Sequence, residues 1–386
     1  MRIALIAHAP VRGGSTDMVI QARDYFLRNG HDVQCIFGTG AASPDPRTAG
    51  SQVIATPQKQ WRAHMRDYIQ QVENFRPDVV FALSGKTEMD LFRFLRCVRV
   101  RHTFSLEEHE YLNIPLLLKR GRPFMEAGTA NTPDALETVA RITGKPTYLL
   151  PYLFPEPLNQ LAEVDGARLL DAKNPIEIAF VSRFERFQKR SHWLPDIIRA
   201  CEKAGANLAW HFYGDGPDLA SVRNRVGNDS RVHFHGWISR ETLYERLPNH
   251  DILFFCSRWE GLPVAMVEGM RCGLACVSTD IPAGIRWTLE QGGGWLYDAN
   301  SPGDAATALL KAVKDRAVLL EKRREALHLA RKLFNTQTAA QYYRQLEEAF
   351  GKLRFNGEVL DLDRAGKFRT VSVPTYLKRL VFRPLG

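Results

Sequence analysis

The stretch Ser257-Arg258-Trp259-Glu260-Gly261-Leu262-Pro263-Val264-Ala265-Met266-Val267-Glu268-Gly269-Met270 follows an apolar run at 251–256 and continues into an amphipathic pattern, so it reads as strand, short loop and helix. Proline suits the first position of a helix, and Pro263 stands there. The loop before it then aims backbone N–H groups and the positive end of the helix at whatever lies beyond, a seat for a diphosphate or for sugar hydroxyls. Gly261 lets a ligand come close to the backbone. Glu260 precedes the helix and Glu268 lies about one and a half turns inside it, so two carboxylates face different parts of one ligand. A carboxylate accepts two ribose hydroxyl bonds. Without context the same pair reads as a helix-end charge and a solvated glutamate.

Working outward, strand-like runs at 176–182, 207–213, 231–235 and 274–278 alternate with helical stretches near 191–204, 240–247, 263–272 and 303–313. That alternation predicts a parallel α/β sheet. The N-terminal half repeats the class without repeating the sequence. A strand at 2–7, the loop Ala9-Pro10-Val11-Arg12-Gly13-Gly14-Ser15, a helix over about 16–28, the Asn29-Gly30 turn and a strand at 33–37 make a βαβ unit. Further strands are expected at 79–83, after Arg76-Pro77-Asp78, and near 103–112. Prolines 146, 151, 155, 157 and 175 break the rhythm around a short charged helical segment. We therefore divide the chain into 1–155, a linker at 156–175, a second domain at 176–345 and a basic segment at 346–386. A length of 386 residues suits two such domains, and two domains imply a cleft.

The composition, 45% hydrophobic, 25% charged and 10% aromatic, is that of a globular protein and excludes a disordered or fibrous class. No apolar run reaches membrane-spanning length, and Met1-Arg2-Ile3-Ala4-Leu5-Ile6-Ala7 enters a strand without a signal-peptide pattern, so the cytoplasm is the expected compartment. Six scattered cysteines read as reduced core thiols. The net charge of +9 is compatible with nucleic acid, an anionic membrane or phosphate-bearing substrates, and its placement narrows the choice. Residues 351–386 carry eight Lys/Arg against three acids, a tail suited to anionic lipid. The run Leu91-Phe92-Arg93-Phe94-Leu95-Arg96-Cys97-Val98-Arg99-Val100-Arg101 reads as an interfacial helix or a solvated helix face. No nucleic-acid module is recognisable, so no nucleic-acid partner is expected.

Arg183 sits just past a strand and Lys189 six residues on, so both cations can converge on one anionic group. His233 and His235 alternate along a strand without an evident carboxylate, and are read as structural, not as metal ligands. Asp361-Leu362-Asp363 has the form of a cation-carrying Asp-x-Asp element but follows both sheets, and is read as a chance match. Neither domain opens with Gly-x-Gly-x-x-Gly, which argues against a dinucleotide dehydrogenase.

The Glu-x7-Glu stretch after an apolar strand resembles the signature of glycosyltransferase family 4 and its relatives of the GT-B fold. Gly214-Asp215-Gly216-Pro217, Val232-His233-Phe234-His235-Gly236-Trp237 and Phe180-Val181-Ser182-Arg183-Phe184 extend the match, strongly over 176–300 and weakly over the N-terminal half. The resemblance implies two Rossmann-like, doubly wound domains facing a central cleft, with the acceptor on the first, the nucleotide-sugar donor on the second, and the final segment crossing back to the first. It implies a retaining, metal-independent hexosyltransferase with no cofactor. Such an enzyme moves a sugar from a UDP- or GDP-linked donor to a glycan or lipid-linked acceptor, and the expected setting is cell-envelope polysaccharide synthesis at the inner face of the membrane. Arg183 and Lys189 match the residues that hold the donor diphosphate, although Ser191 stands where the family often has glycine. Glu260, with the backbone of Gly261 and Leu262, would position the sugar, and Glu268 the ribose. Trp237 and Ile238 would carry the backbone that reads the base. Gly14, after Gly13, matches the family's glycine loop, and His109, favoured over His102, matches a strand-end His-acid element in which Glu110 replaces the usual Asp. The competing reading is a scaffold that binds a nucleotide sugar without turning it over.

Overall fold

The computed structural model describes residues 1–11, 13–41, 44–83, 87–103, 108–109, 112–153, 163–282, 284–298 and 300–365. These form two compact units: one is Met1–Leu153 with the chain from Ala339 onward, the other Phe154–Thr338.

In the first unit β1 (Arg2–Ala7), β2 (Asp32–Phe37), β3 (Gln52–Val53), β4 (Val79–Ala82), β5 (Val98–Thr103), β8 (Ala127–Ala130) and β9 (Thr147–Leu149) form one sheet in the order β3-β2-β1-β4-β5-β8-β9. Its strand pairs are parallel. A short hairpin, β6 (Glu108–His109) and β7 (Leu112–Asn113), stands apart from it. Ile3 to Ile6 and Val80 to Leu83 are fully buried, as expected of strands covered on both faces. The helices are α1 (Gly14–Arg28), α2 (Trp61–Phe75), α3 (Thr87–Phe92), α4 (Ile114–Gly121) and α5 (Pro133–Thr143). The C-terminal helix, α14 (Thr336–Lys352), adds to this core: Phe350 meets Phe26 and Phe81, and Tyr343 meets Tyr25.

The arginine-rich run is not an interfacial helix. It spans the end of α3, a turn and β5, and buries Arg93, Arg99 and Arg101. Arg93 bonds Asp90 at 3.0 Å. Arg99 reaches Glu126 at 3.0 and 3.3 Å and the carbonyls of Phe92, Leu95 and Glu358. The three-residue spacing read as one helix face arises instead where two elements meet. Of the basic tail, residues 351–365 are described, and its backbone at 356–360 bonds Glu126, Pro123 and Arg93; residues 366–386 lie outside the described residues.

The second unit is a parallel sheet in the order β12-β11-β10-β13-β14-β15, built from β10 (Ile176–Val181), β11 (Leu208–Tyr213), β12 (Val232–Gly236), β13 (Ile252–Phe255), β14 (Ala275–Thr279) and β15 (Gly294–Tyr297). Its helices are α6 (Ala167–Leu170), α7 (Leu194–Lys203), α8 (Leu219–Val226), α9 (Arg240–Arg246), α10 (Val264–Arg271), α11 (Gly284–Leu289), α12 (Pro302–Val313) and α13 (Arg316–Leu333). Both units are Rossmann-like. In each, the strand order reverses beside the first strand, and the crevice at the carboxyl ends there is where such sheets bind ligands. No helix among the described residues is long and apolar enough to cross a membrane.

Candidate functional site

In the second unit the reversal lies between β10 and β13. The loops leaving those two strands, 182–190 and 256–263, are therefore neighbours. Arg258 N donates to the Gln188 carbonyl at 2.6 Å, and Cys256 Sγ donates to the Lys189 carbonyl at 3.3 Å. Burial pushes the Cys256 thiol up to about 12, so it stays a neutral donor. Inside the first loop one side chain sets the shape. The Glu185 carboxylate accepts from the backbone N–H of Gln188 at 2.6 Å, Lys189 at 2.8 Å and Phe187 at 3.3 Å.

This shape brings Lys189 onto Glu260. Their ion pair is nearly closed to solvent. The Glu260 carboxylate also accepts from Ser257 Oγ at 2.6 Å and from Gln188 Nε2 at 3.4 Å. The far side of the Gln188 amide accepts from Arg183 at 3.5 Å. A chain Arg183–Gln188–Glu260–Lys189 thus crosses the mouth of the reversal, with Arg183 exposed at its outer end. Arg190, adjacent in sequence, goes elsewhere: its guanidinium lies over the Trp193 ring at 4.5 Å.

Pro263 is the N-cap of α10, one residue before the first helical position expected for it. Gly261 and Leu262 lie flat against α11. A Cβ at Gly284 would come 2.5 Å from Leu262 N and 2.7 Å from the Gly261 carbonyl carbon, so only glycine admits that approach. On α10, Glu268 is buried and accepts from Arg240 Nε at 2.9 Å. Arg240 opens α9 directly after the segment 236–239, which links the carboxylate to the stretch containing Trp237 and Ile238. Trp237 is half exposed and Ile238 partly buried. Gly214 has φ +134°, and a Cβ there would come 2.0 Å from the Ser182 carbonyl oxygen. Its glycine therefore seats the loop after β11 on the loop after β10.

The remaining predicted residues belong to the first unit. Gly14 is the first residue of α1, and Gly13 caps that helix with φ +145°. The backbone of His109 lies in β6, while its side chain, and Glu110, are outside the described residues. His102 is a core residue: it bonds Thr129 Oγ1 at 2.9 Å, and burial with the charge of Arg101 lowers it to about 3. Asp361 and Asp363 are engaged by arginines, Asp363 by Arg66 of α2 at 2.6 Å and Asp361 by Arg364 at 3.6 Å. His233 and His235 stack with His211 at 4.7 and 5.3 Å between centroids, and no group of three or more His, Cys, Asp or Glu among the described residues is arranged to hold a metal.

Sequence reasoning missed Glu185, Gln188, Ser257 and Arg240. Only their positions beside the chosen residues hinted at them: Glu185 acts on backbone, Gln188 and Arg240 reach glutamates distant in sequence, and Ser257 bonds Glu260 three residues on.

Residues 175–315 match the family model described as glycosyl transferases group 1. The lipopolysaccharide 1,6-galactosyltransferase of Salmonella typhimurium is 27% identical over 137 residues, 34% of this chain and 37% of the relative. The N-acetyl-alpha-D-glucosaminyl L-malate synthase of Bacillus anthracis is 26% identical over 155 residues, 38% of this chain and 39% of the relative. The matches thus span under two-fifths of the length of these curated relatives. Among solved structures, HepE from Anabaena in complex with UDP-glucose superposes with a TM-score of 0.69 at 18% identity, over 90% of this chain and 100% of that one. The lipopolysaccharide outer core galactosyltransferase WaaB, in its apo form, gives a TM-score of 0.60 at 17% identity, over 91% and 99%. The fold is GT-B.

Proposed function

We propose that the chain is a retaining glycosyltransferase of family 4, moving a hexose from a nucleotide-sugar donor to a hydroxyl of a glycan or lipid-linked glycan in cell-envelope polysaccharide synthesis. The observation that carries this reading is the chain Arg183–Gln188–Glu260–Lys189 at the strand-order reversal. Departure of a nucleoside diphosphate develops negative charge, and two cations held in place before reaction stabilise it without reorganisation. They supply charge that a metal supplies in other transferases. Glu260, fixed by Ser257 and Gln188, keeps Lys189 in place and meets the sugar; Glu268, fixed by Arg240, accepts the ribose hydroxyls.

In this mechanism the acceptor hydroxyl attacks the anomeric carbon on the face from which the diphosphate leaves. The C–O bond to phosphate breaks as the new C–O bond forms, and the leaving phosphate oxygen takes the acceptor proton. His109 and Gly14 are assigned to the sugar and phosphate side of the first domain, on the resemblance alone. A UDP donor is favoured by the HepE complexes with UDP and UDP-glucose, and an envelope acceptor by the lipopolysaccharide galactosyltransferases. The basic tail suits the inner membrane face, so it should bind anionic but not neutral vesicles.

The test is a panel of UDP- and GDP-sugars scored for transfer or slow hydrolysis, repeated with Lys189→Ala and Glu268→Ala. Turnover of one donor, lost in both folded variants, is the expected result. Binding without release of any sugar would favour the non-catalytic scaffold, and no binding of any donor would end the proposal. Product anomer analysis tests retention, and undiminished rate after chelation tests metal independence.

A further inference from the structure

The first unit holds two buried arginines on one strand, and only one is explained. Arg99 of β5 is fully buried and bonded to both oxygens of Glu126 and to three carbonyls. Arg101 follows it on the same face and is 5% exposed, yet its Nη1 is sealed from solvent with no acceptor. Glu88 of α3, fully buried, acts on it across space without bonding it. A buried guanidinium with open donor positions costs several kcal/mol unless something arrives to accept from it.

The surroundings supply the rest of a site. Arg101 and Thr103 of β5 pair in register with Gly128 and Ala130 of β8, so the carboxyl ends of the two strands lie side by side. There Thr103 Oγ1, both polar side-chain atoms of Asn131, and Thr132 Oγ1 are buried and lack hydrogen-bond partners. Five buried polar atoms without partners lie at the carboxyl edge of the sheet, on the two strands beyond β4, and call for a hydrogen-bonding occupant. We infer that Arg101, with Thr103, Asn131 and Thr132, forms an anion site in the first unit that takes a carboxylate or phosphate group. The guanidinium matches either oxyanion in a bidentate manner, and the hydroxyls and amide serve its remaining oxygens or adjoining sugar hydroxyls. Glu88 opposes the incoming charge and sets an upper limit on affinity.

Sulfate is the probe, because its charge does not change near neutral pH. It is titrated calorimetrically at pH 8, at constant ionic strength against chloride, into full-length chain carrying Arg183→Ala and Lys189→Ala so that the second unit's cations cannot answer. Saturable binding that Arg101→Met weakens roughly tenfold or more, about 1.4 kcal/mol, is the expected result. No saturable binding, as when ordered water alone fills the site, would overturn the inference, and so would binding that Arg101→Met leaves unchanged. Should Arg101→Met fail to fold, Glu88→Gln gives the second reading. It removes the opposing charge and should tighten sulfate several-fold; unchanged or weaker binding overturns the proposal. Glucuronate binding more tightly than sulfate, with glucose inert, identifies the source as a group on a glycan, and sulfate binding as well as glucuronate identifies a free anion. The donor reading is judged separately, by UDP binding with Arg183 and Lys189 intact.

Discussion

Lys189 and Glu260 form a largely buried ion pair, so each charge depends strongly on the other. On the proposed reading Lys189→Ala acts twice, removing charge from the leaving diphosphate and leaving Glu260 without its cation. We expect kcat to fall about 10²–10³-fold, the loss of roughly 3–4 kcal/mol that follows removal of one donor to a developing anion. Lys189→Arg should recover part of it. Equal rates for the alanine variant and the parent would remove Lys189 from the chemistry. Gly284 offers a control in which nothing polar changes. Alanine in a helix is ordinarily more stable than glycine by about 1 kcal/mol, but here the added Cβ would meet Leu262 N at 2.5 Å and must displace the 261–262 loop. Gly284→Ala should therefore cost donor affinity, seen as a raised KM for the sugar nucleotide in a folded protein. An unchanged KM would mean that this loop does not touch the donor.

At the scale of elements, β10, β11 and β12 bring Glu177, His211, Tyr213, His233 and His235 together on one face of the second sheet, where α9 and the turn after it add Arg246 and His250. Burial, then the neighbouring charges of His211, Arg246 and His233, lowers His235 to about 4, and burial with His211 lowers His250 to about 4. The ordinary value near 6.5 applies to the unfolded chain, which therefore binds more protons than the folded chain between pH 6.5 and 4. Stability contributed by these two rings is whole above pH 6.5 and is lost as pH falls toward 4. Thermal midpoints should drop across that window, and His235→Asn should flatten the drop; parallel slopes for both proteins would refute the assignment. The same face shows where sequence reading stops. Period-two alternation placed β11 and β12 and put His233 and His235 on one side. Their contact with His211, which in turn meets His250, depends on strand order, which no local pattern contains. The 91–101 run failed for the converse reason, because its arginine spacing fits a helix while Arg93 and Arg99 are placed by Asp90 and Glu126 and Arg101 by its position in β5. That Arg183, Lys189 and Glu260 fall in loops after strands and Glu268 inside a helix was legible, because the alternation already fixed those elements.

The whole molecule is two cores joined by a chain that returns from the second to the first, and that return has an energetic consequence. Tyr343, Leu346 and Phe350 of α14 are buried against the first unit, with Phe350 between Phe26 and Phe81. Fully burying such side chains contributes about 1.5–3 kcal/mol each. Three of them therefore account for much of a typical domain's margin of about 5–15 kcal/mol. The second unit has its own cluster, which includes Phe180, Phe184, Phe212 and Phe254, and Arg323 of α13 bonds buried Asp251 at 2.6 Å. Cutting the chain after Thr338 should consequently unfold the first unit and spare the second. In the truncated protein, protease should digest residues 1–153 and leave a resistant fragment of about 163–338 that still melts cooperatively and is stabilised by UDP. Expressed by itself, the same fragment should, on the proposed reading, bind UDP and transfer nothing, because that reading assigns part of the site to the first unit. A first unit that stays protease-resistant without α14 would show that the C-terminal helix is not part of its core.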